Sequence, residues 1–128
     1  MSNDILNLNA FDFYDFWLLY SIGFGKKGAR IKDIVSLGDY LNRAIFSLDE
    51  LNYGMSKLVY NGYVAKDKDK FYVTNKARDF YARAKNCKEG CIQEMFELAQ
   101  IFAQEPIQSG CKLTVYFAQY AAGKYYTL

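Results

Sequence analysis

The 128-residue chain has no histidine, a single proline and three cysteines. Without histidine it cannot build a serine–histidine or cysteine–histidine nucleophile pair, and it has no imidazole to offer a metal ion. One proline and nine glycines exclude collagen-like and low-complexity sequences. No run approaches the ~20 apolar residues that a membrane-spanning helix needs. The acidic start over residues 1–4 also lacks the basic residues of a signal peptide. We therefore expect a cytoplasmic protein without membrane contact.

The cysteines Cys87, Cys91 and Cys111 give little support for a metal site. Their number is odd, no C-x-x-C pair occurs, and reduced thiols are the default without a secretion signal. The segment Gly23–Gly28 spells G-x-G-x-x-G, but it follows a predicted helix rather than a strand, which favours a flexible loop. We therefore expect no metal, no other cofactor and no enzymatic activity. A redox or metal role of the three cysteines stays open.

The modest net charge of +2 hides a segregation of charge along the chain. The net charge is −3 over residues 1–25, +6 over 26–85 and −1 over 86–128. A basic middle region indicates a polyanionic partner, although a solvated surface would give the same count. Aromatic residues make up 18% of the chain. That is enough to fill a core of this size and to leave some aromatic side chains for an interface.

The first part of the chain predicts two helices. Residues 10–22 are apolar almost all round and follow Asn9, which can cap a helix. Such a helix must be covered on two sides, by its own core and by either a partner subunit or the C-terminal segment. A short strand over 29–31 and a second helix over 32–44 follow. The second helix is expected to bury one face, made of Ile34, Leu37, Leu41 and Ile45.

The third helix has the strongest signals. Ser47 and Glu50 have the spacing of a capping box, Phe46 and Leu51 that of a hydrophobic staple, and Gly62 suits a left-handed helix end. Two β-rich runs then flank a polar tip of alternating lysine and aspartate, which predicts a hairpin.

Helical spacing predicts a fourth helix capped by Thr74 and a fifth helix over 90–104. Residues 111–126 fit a strand or a helix, and we favour a helix. The predicted fold class is mainly α with a small β-hairpin (α+β). The domain organisation is a domain over 1–86 followed by a helical arm over 87–128. This arm either packs on that domain or serves for dimerisation.

The order helix, short strand, helix, helix, hairpin, helix over residues 10–86 resembles the winged helix-turn-helix of bacterial regulators in the PadR, MarR and ArsR groupings. The positions that carry the resemblance are Met55, Leu58, Gly62, Tyr63, Val64 and Thr74. The resemblance implies a DNA-binding transcriptional regulator with double-stranded DNA as its partner. Winged helices also serve as protein-interaction modules without DNA binding, which is the alternative.

In that fold the third helix enters the major groove and its outward side chains read bases. The outward positions here are Asn52, Tyr53, Ser56, Lys57 and Tyr60. The resemblance further implies phosphate or minor-groove contacts from the wing and its flanks. The residues expected to make those contacts are Lys66, Lys68, Lys70, Arg30 and Lys76. For all of these a plain solvated surface remains the alternative.

Two observations weaken the DNA hypothesis. Asp49 and Glu50 open the third helix close to where phosphates would lie, and its outward face has no arginine for reading guanine. Tight binding would therefore need two half-sites, which predicts a homodimer. We expect its interface to use the C-terminal arm and the first helix through Phe13, Trp17 and Tyr20. The operator, the regulated process, the effector and the direction of regulation stay open.

Overall fold

The computed structural model describes residues 6–85 and 91–128. Within these ranges the chain forms helices α1 Phe13–Ile22, α2 Ile31–Asn42, α3 Leu48–Tyr60, α4 Asn75–Ala84 and α5 Cys91–Phe102. The strands are β1 Val64–Asp67, β2 Lys70–Val73, β3 Phe117–Tyr120 and β4 Lys124–Thr127. The strands pair into two separate antiparallel two-stranded sheets, β1 with β2 and β3 with β4. The predicted α+β class is confirmed.

Helix α1 runs through the centre of the molecule and packs against α2, α3 and α5. It is apolar on nearly every side because these three helices of the same chain cover it. The expected start at residue 10 with Asn9 as cap is wrong. The Asp12 carboxylate accepts the Asp15 amide and the Asp15 carboxylate accepts the Asp12 amide, so the helix begins after Asp12.

Helix α2 exposes part of the face that was expected to be buried. Ile34 and Leu41 lie in the core, but Leu37 and Ile45 are exposed. The helix ends at Asn42, and Arg43 takes a left-handed conformation with φ 54°. The chain therefore turns away from the helix axis before Ile45, and Ile45 no longer continues the buried face.

Within the described residues, no helix is both long enough and apolar enough to cross a membrane.

Helix α3 has the capping box that the sequence predicts. The Ser47 hydroxyl accepts the Glu50 amide at 3.0 Å, and the Glu50 carboxylate accepts the Ser47 amide at 2.9 Å. Gly62, with φ 81°, ends the segment as expected. Gly54 allows α3 to approach α1 closely, because a Cβ atom there would lie 3.0 Å from the Leu18 side chain.

The predicted hairpin is formed by β1 and β2, and we refer to residues 64–73 as the lysine hairpin. Val64 pairs with Val73 and Asp67 pairs with Lys70. The short strand expected at 29–31 is reduced to one bridge between Ala29 and Phe71, with backbone N–O distances of 2.8 Å. This bridge holds the loop before α2 against the hairpin.

Thr74 stands at the N-cap position of α4, but its hydroxyl makes no cap hydrogen bond and instead donates to the Gly62 carbonyl.

The prediction of a helix over 111–126 is wrong. After α5 the backbone is irregular until Phe117, and β3 and β4 then form a second hairpin, which we call the C-terminal hairpin. Phe117 is buried in the same core as α1, so this part of the chain packs on the helical region.

Candidate functional site

The polar face of α3, defined by Asn52, Tyr53, Ser56, Lys57 and Tyr60, is largely covered by the chain itself. Asn52 is 6% exposed, Ser56 3% and Lys57 0%. The expectation that these three side chains face solvent is wrong. Tyr53 is half-buried, and of these five side chains only Tyr60 is exposed, at 44%. Lys57 packs against α1, and the segment that covers the rest of this face is residues 107–117, which we call the strap.

Asn52 binds the strap through both ends of its amide. Its Oδ1 accepts the backbone amides of Tyr116 at 2.9 Å and Phe117 at 3.0 Å. Its Nδ2 donates to the Phe117 carbonyl at 3.2 Å. The group expected to pair with adenine is therefore engaged with backbone of the same chain.

Further side chains on and next to α3 hold the rest of the strap. The Ser56 hydroxyl accepts the Thr114 amide at 2.8 Å and donates to the Thr114 carbonyl at 3.0 Å. The Tyr60 hydroxyl donates to the Ser109 carbonyl at 2.8 Å. Asn61, which sequence reasoning did not select, accepts the Gln108 amide at 2.7 Å. The strap is thus bound as an extended peptide would be, through its backbone.

Lys57 forms the buried ion pair of the α1–α3 contact. Its Nζ lies 2.8 Å from Asp15 Oδ2 and 3.6 Å from Asp12 Oδ2, and it donates to the Ala10 carbonyl at 3.0 Å. Burial raises the pKa of Asp15 to about 7, although the Lys57 ammonium opposes this shift. Lys57 therefore stabilises the interior and is withdrawn from any surface contact.

The lysine hairpin differs from the polar face of α3 because it remains open to solvent. Lys66 and Lys68 are exposed and Lys70 is half-buried. The Arg30 guanidinium lies 3.0 Å from the Asp69 carboxylate, which joins the start of α2 to the hairpin turn. Together with the Ala29–Phe71 bridge, this ion pair brings the basic loop before α2 and the hairpin lysines to one side of the molecule.

Lys76, the last of the expected DNA contacts, is engaged within the fold. Its Nζ donates to the Asn61 carbonyl at 2.7 Å and lies 4.6 Å from the centroid of the Tyr63 ring. The structure therefore places Arg30 next to the lysine hairpin, whereas Lys76 contacts Asn61 and Tyr63.

The residues expected in a dimer interface lie against neighbours in their own chain. Trp17 is buried, stacks on Phe46 at a centroid distance of 3.6 Å and donates its Nε1–H to the Gly38 carbonyl at 3.0 Å. Phe13 stacks on Phe96 of α5, and the Tyr20 hydroxyl donates to Glu94 of α5. The prediction of a dimer interface through Trp17 is therefore wrong, because α2 and α5 already cover both sides of α1.

A groove that the sequence did not predict lies between α2 and the C-terminal hairpin, and we call it the α2–hairpin groove. Its cavity is about 330 Å³. Ile31, Val35 and Ile45 supply aliphatic surface, while Lys32 and Lys124 supply charge. Sequence reasoning missed the groove because it assigned Ile45 to the core and residues 111–126 to a helix.

The described residues contain no group of three or more histidine, cysteine, aspartate or glutamate side chains arranged to hold a metal ion. Cys87 and the side chain of Cys91 lie outside the described part of the chain. Cys111 lies in the strap as a free thiol, and burial raises its pKa.

Comparison of the chain with protein-family models, curated proteins and solved structures found no match.

Proposed function

We propose that this chain is a protein-interaction module with a winged-helix-like arrangement, and that α3 does not read DNA. The observation that carries the proposal is the strap on α3. Asn52 and Ser56 bond to strap backbone, and Lys57 is buried against α1. A helix reads bases only when its side chains reach the base edges directly or through water.

The strap would also keep α3 away from the base edges of a DNA duplex. A major groove about 12 Å wide admits one helix or a two-stranded ribbon. Here a further segment of backbone lies over the face of α3 that would enter the groove, and its carbonyls at Ser109, Thr114 and Phe117 are bonded to that face. Base reading by α3 would therefore require these hydrogen bonds to break first.

Exposed apolar side chains favour a protein partner. Tyr40 is 72% exposed and Ile45 66%, and Tyr120 on the C-terminal hairpin is also exposed. Ile45 and Tyr120 line the same groove. Apolar and aromatic surface that is contiguous and rimmed by polar residues is typical of sites that bind proteins.

DNA binding through phosphates alone is the second candidate, and the exposed lysine hairpin is the observation that favours it. Lys66 and Lys68 extend from a hairpin, next to the Arg30–Asp69 ion pair. Such contacts would bind the backbone of a duplex without reading its sequence.

Fluorescence anisotropy with a labelled mixed-sequence duplex separates the two candidates. The protein should be titrated at ~50 and ~200 mM salt, beside a variant with Lys66, Lys68 and Lys70 all changed to glutamate. Our proposal predicts no appreciable binding at either salt concentration. Binding that weakens ~10³-fold between the two salts, and that the variant loses, would overturn the proposal in favour of phosphate binding.

A further inference from the structure

We propose that the α2–hairpin groove binds a short acidic peptide segment of a partner protein. A carboxylate of that segment lies between Lys32 and Lys124, and a large apolar side chain next to it packs on Ile31, Val35 and Ile45. This inference rests on the proposed function, since it assigns the partner's chemistry to one surface of the module.

The size and lining of the groove match one large side chain and its neighbour. The cavity of about 330 Å³ lies at the lower end of the range for ligand sites. Its aliphatic surface includes Ile45, which is 66% exposed. Covering Ile45 with a partner side chain removes apolar surface from water, which favours binding.

The charge of the groove selects an acidic partner. Lys32 comes from α2 and Lys124 from β4, so two lysines line the cavity from different elements. Neither lysine forms an ion pair with any residue of the ranges 6–85 and 91–128. No carboxylate is among the residues that line the cavity. Glu50, whose charge contributes with burial to the raised pKa of Tyr125, is bonded to the Ser47 amide in the capping box of α3.

The groove is held open before a ligand arrives. The Tyr125 hydroxyl donates to the Phe46 carbonyl at 2.9 Å, which anchors the C-terminal hairpin to the segment between α2 and α3. Lys124 pairs with Tyr120 in the β3–β4 register. A preformed site avoids much of the ordering cost of binding.

A peptide fits this surface better than a nucleic acid does. A phosphate would satisfy the two lysines, but a nucleic acid backbone has no aliphatic side chain for the surface of Ile31, Val35 and Ile45. The net charge of +6 over residues 26–85 would speed the approach of an acidic partner in either case. The aliphatic part of the groove therefore distinguishes the two.

The test is selection of a displayed library of random short peptides on the immobilised 128-residue chain. We expect the selected peptides to contain aspartate or glutamate beside leucine, isoleucine, phenylalanine or tryptophan. The strongest peptide is then synthesised with a fluorophore and titrated by anisotropy. The double variant Lys32→Glu/Lys124→Glu should bind it at least ~10-fold more weakly, equal to ~1.4 kcal/mol.

The matched control is Lys26→Glu/Lys27→Glu, which makes the same charge change on the exposed loop before α2. It should bind the peptide within ~2-fold of the wild type, a difference well below 1 kcal/mol. An Ile45→Asp variant should also lose the peptide, because a carboxylate would then stand on the aliphatic surface. Unchanged melting temperatures for all variants show that the fold is retained.

Each other outcome overturns a defined part of the argument. Selected peptides without acidic residues, or equal losses in both double variants, overturn the groove assignment and leave the proposed function standing. Failure to select any peptide overturns the peptide proposal, while the duplex titration tests the proposed function separately. A dimeric mass in solution that Ile45→Asp abolishes would overturn the peptide and identify a second copy of this chain as the occupant.

Discussion

The polar face of α3 and the lysine hairpin carry similar residue types and have opposite environments. Lys57 on α3 is completely buried between carboxylates, whereas Lys66 and Lys68 on the hairpin face solvent. Both regions have the composition of a nucleic-acid contact. The comparison teaches that residue type and position on a helix identify which side chains lie opposite the helix's apolar face. They do not tell whether a distant segment covers them.

The covered polar face of α3 is stable only when each of its buried polar groups has a hydrogen-bond partner. Buried polar groups are tolerated when hydrogen-bonded, and an unpaired one costs about 1–3 kcal/mol. Asn52 and Ser56 meet this condition only because the strap follows α3 in register. The hairpin lysines have no such requirement, since water satisfies them. Substitutions should therefore affect the two regions very differently.

The largest expected difference is between Lys57→Met and Lys66→Met. The first leaves Asp15 buried without its cation and should lower the free energy of unfolding by ~3–5 kcal/mol. The second removes an exposed charge and should change it by less than ~0.5 kcal/mol. Urea unfolding of both variants at pH ~9, where Asp15 of the wild type is ionised, measures the two values. Similar values for both would mean that Lys57 is not the buried member of an ion pair.

The pH dependence of stability should report on the same buried pair. The pKa of Asp15 is about 7 in the folded protein, against an ordinary value of 3.8. The folded state therefore holds this proton more tightly than the unfolded state does. The resulting stabilisation is complete below pH ~4 and is lost as the pH rises through ~7.

The measurement is the unfolding free energy of the wild type minus that of Asp15→Asn, determined between pH ~4 and ~8. We expect this difference to fall by at most ~4 kcal/mol, at 1.36 kcal/mol per pKa unit. Carboxylates that interact with neither Asp15 nor Lys57 cancel in the difference. A flat difference would show that Asp15 is already ionised at pH ~4.

A smaller effect is expected when the strap contacts are removed. Asn52→Ala deletes three hydrogen bonds to Tyr116 and Phe117 and should destabilise the fold by ~2 kcal/mol. The exposed Asn75→Ala is the control and should stay within ~0.5 kcal/mol. Hydrogen exchange adds a local readout, because the amides of Tyr116 and Phe117 should lose protection in Asn52→Ala alone. Equal protection in both variants would contradict the role of Asn52.

The smallest effect has the opposite sign and lies in the lysine hairpin. Lys68 occupies the turn with φ 59°, a left-handed conformation that costs a lysine roughly 1 kcal/mol. Lys68→Gly should therefore raise the free energy of unfolding by up to ~1 kcal/mol, partly offset by the greater entropy of unfolded glycine. The control is Lys66→Gly, in the regular part of β1, which should destabilise. Thermal unfolding of both variants is sufficient to see the two signs.

The local elements of the fold were predictable because their signals lie close together in the sequence. The Ser47–Glu50 capping box predicted the start of α3, and the turn-rich tip between two β-rich runs predicted the lysine hairpin. The start of α1 was misplaced because Asp12 caps in preference to Asn9, which also has a side chain suited to capping. The choice between two neighbouring capping residues depends on backbone geometry, which amino-acid composition does not show.

The candidate site was far less predictable. Residues 111–126 match both periodicities, and the choice between them depends on α3, whose side chains bind the backbone of the strap. The α2–hairpin groove in turn requires the C-terminal hairpin and the left-handed turn at Arg43. Neither could be seen in any single segment.

Signals in the sequence alone were sufficient to predict the α+β class, the boundaries of α3, the lysine hairpin and the segregation of positive charge. The two local elements depend on contacts between residues close together in the sequence, and the charge segregation is a count along the chain. The tertiary structure decided which polar side chains reach solvent, because the burial of Asn52, Ser56 and Lys57 depends on Phe117, Thr114 and Asp15, each distant from them along the chain. Long-range packing leaves no periodic pattern in the sequence, so exposure, and with it the location of the proposed binding surface, could only be seen in the folded chain.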